Sequence, residues 1–253
     1  MLFDNGAEAI QDADAEIVTH LRGPDRAAIT RALHAADASA QVSFEPTPDV
    51  DWSAAWRERI HAHRVGRLVV TPPWLAAEFQ TDTHIVIEPA MAFGTGEHES
   101  TRGVLRLMQG VVREGDVVAD LGAGSAVLSI AAAKLRAKRV YAIELDADAI
   151  GNAVENVERN GVASAVSVLE GDATTLLPLL APVRLVLANI VSSVLCELLP
   201  IISACTPADG QAIFGGMLAE ERATMEKAVG GAGWRVEDSI VENAWWSATI
   251  VRQ

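Results

Sequence analysis

Residues 120–135 read DLGAGSAVLSIAAAKL and carry the clearest indication of the fold. Asp120 lies near the end of a short apolar run, and Gly122 and Gly124 follow before an alanine-rich helical pattern begins. Glycine permits a tight turn and a close approach of a ligand to the backbone, while the first N–H groups of a helix have no partner within it. The stretch therefore predicts a strand, a turn and a helix, with a polar ligand bound at the turn.

Short apolar runs alternate with helical patterns from this strand onward, which is typical of a parallel sheet with helices on both faces. The predicted strands are 117–121, 139–143, 166–169, 184–188 and 211–214. Two further strands, 234–240 and 246–251, have no long helix between them and can pair only antiparallel. The predicted fold class is α/β, a mostly parallel Rossmann-like sheet with an antiparallel last strand pair, which differs from an all-parallel dinucleotide fold.

The helix after the second of these strands has the clearest pattern. Ile150, Val154 and Val157 recur at i, i+4 and i+7, and Gly161 supplies a C-terminal stop. The spacing predicts an amphipathic helix that ends before Gly161.

The N-terminal part is predicted to be a small α+β region. A strand is expected at 15–21, a helix at 24–36 and a second strand at 41–44, which Pro46 and Pro48 end.

Three regions follow from this organisation. The predicted division is a small α+β region at 1–50, a Trp- and Pro-rich linker at 51–80 and the main domain at 81–253. In the linker, Trp52, Trp56 and Trp74 would cover apolar surface where the small region meets the main one.

Charge limits the partners of the chain. Lys and Arg number 20 against 34 Asp and Glu, a net charge of −14, which disfavours direct binding to a nucleic-acid backbone. Residues 1–50 hold nine acidic and three basic residues, a net charge of −6. The composition favours a basic protein partner, although acidity also serves solubility alone.

No stretch approaches the 18 or more apolar residues of a membrane span, and the acidic start MLFDNGAEAIQDADAE is unlike a signal peptide. We therefore expect a cytoplasmic protein without membrane contact. Cys196 and Cys205 lie nine residues apart and are predicted to be packing residues. No His/Cys/Asp cluster has metal-ligand spacing, so no metal is predicted.

Two acidic positions follow the glycine turn at the ends of the next strands. Glu144 stands 22 residues after Gly122, where a carboxylate can accept hydrogen bonds from both hydroxyls of a ribose. Gly171, Asp172 and Ala173 follow the third strand, where a carboxylate and a backbone N–H can meet adenine. Singly, these features also fit a tight turn, a solvated strand end and a helix cap, but in this order they predict an adenosine-containing ligand.

The turn also excludes a nicotinamide-type fingerprint. The pattern G-x-G-x-x-G requires a glycine where Val127 stands, three residues after Gly124. The match is instead to the acidic-x-G-x-G turn of methyltransferases, with Ala126 where a third glycine often stands. The predicted cofactor is therefore S-adenosylmethionine.

The end of the fourth strand, in VLANIVSSV, should face the reacting groups, because ligands of open α/β sheets lie beyond the carboxyl ends of the strands. The Asn189 amide can accept from, and donate to, an amine nucleophile; the alternative is a turn-forming asparagine. Base-modifying amino-methyltransferases usually carry an aromatic residue two or three places later. Val191 and Ser192 stand there, which disfavours nucleic-acid bases as substrates.

A second glycine-rich loop, 93–101, precedes the cofactor strand and could fold over a bound ligand. Its predicted cofactor contacts are Phe93, Gly94, Thr95, Gly96 and Thr101. Thr101 is also expected to cap or open a helix over 102–109. His98 could take a proton, although methyl transfer to an amine chiefly needs the amine neutral and aligned.

These residues resemble the PrmA-type methyltransferases, which modify amino groups of large-subunit ribosomal protein eleven. The resemblance covers about residues 51–251 and is carried by DWSAAWRERIHAHRVGRLVV, AFGTGEHESTRGVL, VVADLGAGSAVLSIAAAKL, ERNGV, LVLANIVSSVLCELLP and GGMLAEE. It implies that Thr101, Gly122, Glu144 and Asn189 contact the cofactor, with Glu144 in place of the family's Asp. The motifs themselves add Asp120, Gly124 and Asp172 to this set.

Three departures from the family pattern stand out. The sequence EHES at 97–100 replaces the usual Thr-His-Pro-Thr, and Ala123 and Ala126 replace common Cys and Gly residues. The N-terminal region has about half the expected length, so residues 1–50 correspond to at most the second half of the family's small substrate-gripping domain.

The predicted activity is transfer of methyl groups from S-adenosylmethionine to protein amino groups, on lysine side chains or an α-amine. Asn189 and His98 are the candidate catalytic residues, and the resemblance implies a ribosomal protein as the partner. One rival is a methyltransferase for another protein or a small amine. The other is a non-catalytic nucleoside-binding or interaction protein on the same fold, which the retention of Asn189 and the glycine loop disfavours.

Overall fold

The structure is a computed structural model that describes residues 10–13, 16–19, 21, 24–45, 60–79, 81–89 and 96–253. Contacts within the chain divide it into two compact units, Met1–Trp56 and Arg57–Gln253. Within the described ranges, no helix has the length and apolar character needed to cross a membrane.

The smaller unit contains a hairpin and a helix. Its described elements are β1 (Ile10–Ala13), β2 (Glu16–Thr19), which pairs antiparallel with β1, and α1 (Arg26–Ala36). The helix predicted at 24–36 is confirmed, and β2 falls inside the strand predicted at 15–21. The strand predicted at 41–44 is wrong: this segment has no regular structure, because an alternating pattern forms a strand only where another strand pairs with it.

The larger unit begins with a small sheet in the order β3-β4-β5. Its elements are β3 (His63–Val65), β4 (Leu68–Thr71), a 3-10 helix at Pro73–Glu78, and β5 (His84–Val86). Strand β4 is antiparallel to β3, parallel to β5 and buried throughout. Regular structure is therefore present inside the stretch 51–80 that the composition assigns to a linker, and the bounds of the three predicted regions stay a prediction.

A seven-stranded sheet forms the centre of the larger unit. Its strands are β6 (Val117–Leu121), β7 (Arg139–Glu144), β8 (Val166–Glu170), β9 (Leu185–Asn189), β10 (Gln211–Leu218), β11 (Trp234–Glu242) and β12 (Trp245–Arg252). They lie in the order β8-β7-β6-β9-β10-β12-β11, and β12 runs antiparallel to both of its neighbours while the pairs from β8 to β10 are parallel. The predicted α/β fold with an antiparallel last pair is confirmed.

Helices cover both faces of this sheet. They are α2 (Glu99–Val111), α3 (Val127–Lys134), α4 (Ala147–Arg159), α5 (Ala173–Leu180), α6 (Ser192–Cys205) and α7 (Arg222–Gly231). Side chains of α2, α3 and α4 bury one hydrophobic cluster against the sheet, and side chains of α5, α6 and α7 bury a second. Burial of both clusters stabilises the sheet and so fixes the relative positions of the strand ends that carry the site.

Helix α4 is present as predicted, but its buried face differs from the apolar stripe. Val154 is 38% exposed, whereas Ala153 and Asn156 are fully buried. The buried asparagine is tolerated because its amide hydrogen bonds are satisfied inside the protein. A sequence pattern that treats asparagine as a surface residue therefore predicts the wrong buried face for this helix.

Candidate active site

A cleft of about 750 Å³ opens at the carboxyl ends of the parallel strands. Its lining residues are His98, Ser100, Leu121, Gly122, Ile143, Glu144, Leu145, Gly171, Asp172, Ala173, Thr174, Asn189, Ile190, Val191, Val194, Glu197, Leu198, Gly216 and Trp245. Of the predicted site residues, the structure brings together five in this lining: His98, Gly122, Glu144, Asp172 and Asn189.

The glycine turn joins β6 to α3 and borders the cleft at Gly122. This residue has φ +71°, and a Cβ added there would lie 2.6 Å from Ile190 Cγ2. Ala126, where related turns often have a third glycine, has φ +64°, a left-handed conformation that costs an alanine about 1 kcal/mol. The turn thus has no side chain at Gly122, where it borders the cleft, and holds Ala126 in the left-handed conformation.

Gly124 lies behind the lining and helps to fix the turn. Its N–H donates to Glu144 Oε2 at 2.7 Å, so it contributes through the carboxylate of the next strand. This short charge-assisted hydrogen bond joins the turn to the end of β7, so we expect the two to keep a fixed geometry relative to each other.

Asp120 lies beneath the turn and outside the cleft lining. It is 1% exposed, its Oδ2 accepts from the Ser129 hydroxyl at 2.7 Å, and its Oδ1 has no hydrogen-bond partner among the described residues. Burial raises the pKa of Asp120 from 3.8 to about 7, the charge of Glu144 adds to the rise, and the hydrogen bonds to Ser129 oppose it. Asp120 therefore supports the turn from below.

This buried carboxyl predicts a pH dependence of stability. Between about pH 4 and 7 the native protein keeps a proton on Asp120 that the unfolded chain has lost, so Asp120 makes the protein less stable as pH rises through this range. We expect the unfolding free energy of Asp120→Asn, relative to wild type, to improve by about 2–3 kcal/mol between pH 5 and pH 8. Urea unfolding at the two pH values measures this, and parallel profiles for the two proteins would contradict it.

Glu144 ends β7 and accepts three backbone hydrogen bonds at the cleft. Besides Gly124 N–H at Oε2, its Oε1 accepts from Leu145 N–H at 2.8 Å and Asp146 N–H at 2.9 Å. These bonds fix the carboxylate at the edge of the cleft. A carboxylate held in this way is a suitable acceptor for vicinal ribose hydroxyls.

We expect Glu144→Ala to weaken S-adenosylmethionine binding by about 1.5–3 kcal/mol, the cost of losing charge-assisted hydrogen bonds to two hydroxyls. An analogue that lacks both ribose hydroxyls should bind mutant and wild type almost alike, as calorimetry can show. Glu144→Gln keeps one oxygen, which can still accept from Leu145 and Asp146 N–H, and is the milder companion variant; Tm of both variants is measured to detect collapse of the turn. A mutant that still discriminates between the two ligands as wild type does would rule out the ribose contact.

Asp172 follows β8 and combines two features that the sequence presents as alternatives. Its Oδ1 accepts from Thr174 N–H and from the Thr174 hydroxyl, both at 2.7 Å, which caps α5. These hydrogen bonds hold the pKa of Asp172 below its usual value. Because the residue is also part of the cleft lining, a helix cap and a ligand contact are compatible here.

Asn189 ends β9 at the centre of the cleft. Its Nδ2 donates to Thr101 Oγ1 at 3.1 Å, and its Oδ1 is buried with no hydrogen-bond partner among the described residues. Gly215 is its neighbour in β10, and a Cβ there would lie 2.8 Å from Oδ1. Thr101, fully buried in the first turn of α2 and outside the lining, therefore orients this amide through its Nδ2.

His98 precedes α2 and caps it. Its Nδ1 accepts from Ser100 N–H at 3.3 Å and lies 2.8 Å from the Ser100 hydroxyl, and its ring meets Trp245 edge-on at a centroid distance of 4.6 Å. A backbone N–H can only donate, so Nδ1 is an acceptor and the neutral ring carries its proton on Nε2. This arrangement disfavours proton abstraction by Nε2, and the general-base role of His98 stays a prediction.

The glycine-rich loop is described only at its end. Phe93, Gly94 and Thr95 lie outside the described residues. Gly96, with φ +87°, is buried against Val70, where an added Cβ would lie 2.8 Å from Val70 Cγ1. Gly96 therefore packs the loop onto β4, outside the cleft lining.

The sequence reasoning missed several residues of the cleft. Trp245 enters it from the start of β12, and an apolar wall comes from Leu145, Ile190, Val191 and Val194. The apolar residues follow directly after Glu144 and Asn189, so their adjacency to the predicted strand ends was a usable signal. Trp245 is 147 residues from its ring partner His98, and only the antiparallel return of β12 brings it there.

The strand order, the glycine turn and the acid at the end of the next strand define a class I methyltransferase, an enzyme class that takes its methyl group from S-adenosylmethionine. The lining fits that cofactor, because a glycine leaves room at the turn and a fixed carboxylate stands at the next strand. A precorrin-6y C5,15-methyltransferase from Geobacter metallireducens has this fold at a TM-score of 0.52 and 20% identity, covering 58% of this chain and 85% of that chain.

The model of the family described as ribosomal protein L11 methyltransferase (PrmA) matches residues 6–253, and the chain belongs to this family. A solved ribosomal protein L11 methylase from Lactobacillus delbrueckii subsp. bulgaricus superposes with a TM-score of 0.68 at 28% identity, covering 76% of this chain and 99% of that chain. The resemblance inferred from the motifs is confirmed.

Named relatives match most of the chain. The ribosomal protein L11 methyltransferase of Thermus thermophilus is 33% identical over 244 residues, 96% of this chain and 90% of the relative. That of Pelotomaculum thermopropionicum is 38% identical over 226 residues, 87% of this chain and 71% of the relative. That of Exiguobacterium sp. is 35% identical over 209 residues, 82% of this chain but 66% of the relative, so the match covers just under two thirds of that protein.

Proposed function

We propose that this chain transfers methyl groups from S-adenosylmethionine to amino groups of ribosomal protein L11, on lysine side chains or an α-amine. Family membership and the names of the relatives support the substrate. The observation that carries the chemistry is Asn189, a residue of the cleft lining whose buried Oδ1 has no partner among the described residues. Such an oxygen is suited to an N–H donor on a substrate.

Different residues of the cleft would bind different parts of the cofactor. When bound, S-adenosylmethionine supplies a methyl group on a positively charged sulfonium. Gly122 lines the cleft without a side chain, Glu144 would offer its carboxylate to the ribose, and Asp172 would meet the adenine. These contacts would fix the direction from which an amine must approach.

The chain's remaining task is to align a neutral amine. Asn189 Oδ1 would accept an N–H of the amine and so direct its lone pair, while Thr101 holds the other end of the amide. Ile190 and Val191 give the cleft an apolar lining beside Asn189, and apolar surroundings favour a neutral amine over an ammonium group. Positioning of the amine would then supply the catalytic effect, and the methylated nitrogen, positively charged after transfer, would lose its proton to bulk water once it leaves the apolar lining.

A substrate comparison tests the proposal. The purified enzyme and labelled cofactor are incubated with unmethylated L11, with a Lys-rich unrelated protein and with small primary amines, and an active family member serves as the positive control. We expect label in L11 with a kcat/KM at least about 100-fold above the other substrates, a difference of about 2.7 kcal/mol. Equal labelling of small amines supports the small-amine rival, and no labelling despite cofactor binding supports the non-catalytic one.

The acidic N-terminal region predicts a salt dependence of substrate binding. Opposite charges attract over the screening length, which shrinks from about 30 Å at 0.01 M salt to about 8 Å at 0.15 M. Changing Asp4, Glu8, Asp12, Asp14 and Glu16 to their amides takes the net charge of residues 1–50 from −6 to −1. We expect this variant to raise the KM for L11 several-fold at low salt and hardly at 0.15 M, with unchanged cofactor affinity. A KM that does not respond at either salt concentration contradicts electrostatic steering by this region.

A further inference from the structure

Helix α4 carries an asparagine ladder, defined here as Asn152, Asn156 and Asn160, which are spaced four residues apart on one face. Asn160 Oδ1 accepts from Val86 N–H at 2.8 Å, and its Nδ2 donates to Val86 O at 2.7 Å. Asn156 Oδ1 accepts from Glu88 N–H at 2.9 Å, and Asn152 Nδ2 donates to Glu88 O at 3.3 Å. The ladder thus binds the end of β5 and the backbone that follows it.

Asn156 differs from its two neighbours because it also reaches the cofactor turn. Its Nδ2 donates to Ser125 O at 3.2 Å, and the residue is fully buried. Arg159 Nη1 donates to Asn156 Oδ1 at 2.8 Å and steadies the amide from the partly exposed side. One buried side chain therefore joins residues 86–88 to the turn 122–125.

Both structures that Asn156 joins lead to the cleft. On one side, the turn is held by Glu144 through Gly124 N–H and by Asn156 through Ser125 O, so two side chains fix it from different elements. On the other side, Glu88 precedes the glycine-rich loop in the sequence, and His98 at the end of that loop lines the cleft. Loss of the Asn156 bridge would release the turn from its support on α4.

We propose that Asn156 is a positioning residue for the cofactor: its amide sets the turn 122–125 against the segment that leads into the glycine-rich loop. Asn156 acts through the backbone and touches no ligand, since it is absent from the cleft lining. Its side chain makes the turn ready to bind before the cofactor arrives, which lowers the ordering cost of binding. The proposal rests on the proposed function only for the measurement of methyl transfer to L11. The measurement of cofactor affinity does not depend on it.

Asn160 provides a matched control within the same ladder. It lies on the same face of the same helix end, is 8% exposed, and makes two hydrogen bonds to Val86 without contacting the turn. Asn156→Ala and Asn160→Ala should therefore both lower Tm, because each leaves buried backbone groups without partners. A purely structural role predicts the same cofactor affinity for both variants.

The test measures Tm, the Kd of S-adenosylmethionine by calorimetry, and the KM and kcat for methyl transfer, all on the full chain. We expect Asn156→Ala to raise the Kd and the cofactor KM about tenfold, the loss of one well-placed hydrogen bond, and Asn160→Ala to raise them less than about twofold. At saturating cofactor, kcat should fall less than about threefold in both. Equal Kd values for the two variants at similar Tm would overturn the proposal.

A second variant covers the case in which Asn156→Ala does not fold. Arg159→Ala removes the donor to Asn156 Oδ1 from a side chain that is 31% exposed, and it should raise the Kd about twofold to threefold at nearly unchanged Tm. An unchanged Kd in this variant would count against the bridge. Because calorimetry needs no substrate, a wild type that binds the cofactor but leaves L11 unmethylated refutes the proposed substrate and not the role of Asn156.

Discussion

Gly122→Arg is expected to abolish S-adenosylmethionine binding, raising its Kd at least about 100-fold. Gly122 borders the cleft with φ +71°, and the space where its Cβ would stand is limited by Ile190 Cγ2 at 2.6 Å. An arginine side chain at this position must either extend into the cleft or displace the wall formed by Ile190. Calorimetry with the cofactor and with its demethylated product measures the loss.

Gly151→Arg is the matched control for this substitution. Gly151 lies on the exposed face of α4, and a Cβ added there meets nothing within 4 Å. The Gly151→Arg variant should bind the cofactor as wild type does. Gly122→Arg should lower Tm by only a few degrees, because a side chain at positive φ costs about 1–2 kcal/mol. Normal affinity in folded Gly122→Arg would show that the cofactor binds elsewhere.

Asn189→Ala is expected to lower kcat about 10²–10³-fold while changing cofactor affinity less than about fivefold, the scale found when one oriented hydrogen-bonding group is removed from a reacting centre. The reason is that Oδ1 is the buried acceptor in the cleft that lacks a partner among the described residues. Steady-state rates at saturating L11 and cofactor, together with a calorimetric Kd, separate the two effects.

Thr101→Val is the companion variant, because it removes the hydroxyl that accepts from Asn189 Nδ2 and leaves the shape of the side chain. It should lower kcat about tenfold, an effect between wild type and Asn189→Ala, since the amide keeps its oxygen but loses its orientation. If Thr101→Val and Asn189→Ala both retain wild-type kcat, the amide does not align the substrate.

The sequence predicts the central sheet well because its strands are short apolar runs separated by clear helix starts and stops. Every strand predicted from 117 to 251 is present, with differences only at the ends, as for β10, which continues to Leu218. The sequence predicts that β10 ends at residue 214 because two glycines then break the apolar run. At the same place, between Phe214 and Met217, the pairing with β12 is interrupted. Local patterns indicate where a strand begins better than where an irregular ladder ends.

The N-terminal half of the chain was harder to read, and the small sheet before the glycine loop was missed. Strands β3 and β5 have three residues each, too few for an alternating pattern to be distinguished from a loop. Their stability comes from pairing with the buried β4 and, for β5, from the asparagine ladder on α4, which are interactions between residues distant in sequence. The strand predicted at 41–44 is wrong for the opposite reason, since no strand among the described residues pairs with it.

The candidate site was predictable wherever chemistry sits directly at a strand end. The structure brings Gly122, Glu144 and Asn189 together at the edge of the sheet, because parallel strands end on one side and their loops meet there, and their roles in binding stay a prediction. Asp120 and Thr101 have the expected residue types but lie behind the lining, where they hold other groups. A sequence motif identifies such residues but does not distinguish a residue that contacts the ligand from one that positions it.

Methyl mapping on L11 shows whether this chain methylates amino groups of L11 and whether Asn189 is needed for the reaction. Unmethylated L11 is incubated with S-adenosylmethionine and either wild type or Asn189→Ala, and the methylated positions are read by peptide mass spectrometry after equal times. The account predicts methyl groups on lysine ε-nitrogens or the α-amine with wild type, and at most about one hundredth of that amount with Asn189→Ala. Methylation at other atoms, or equal amounts with both proteins, would contradict it.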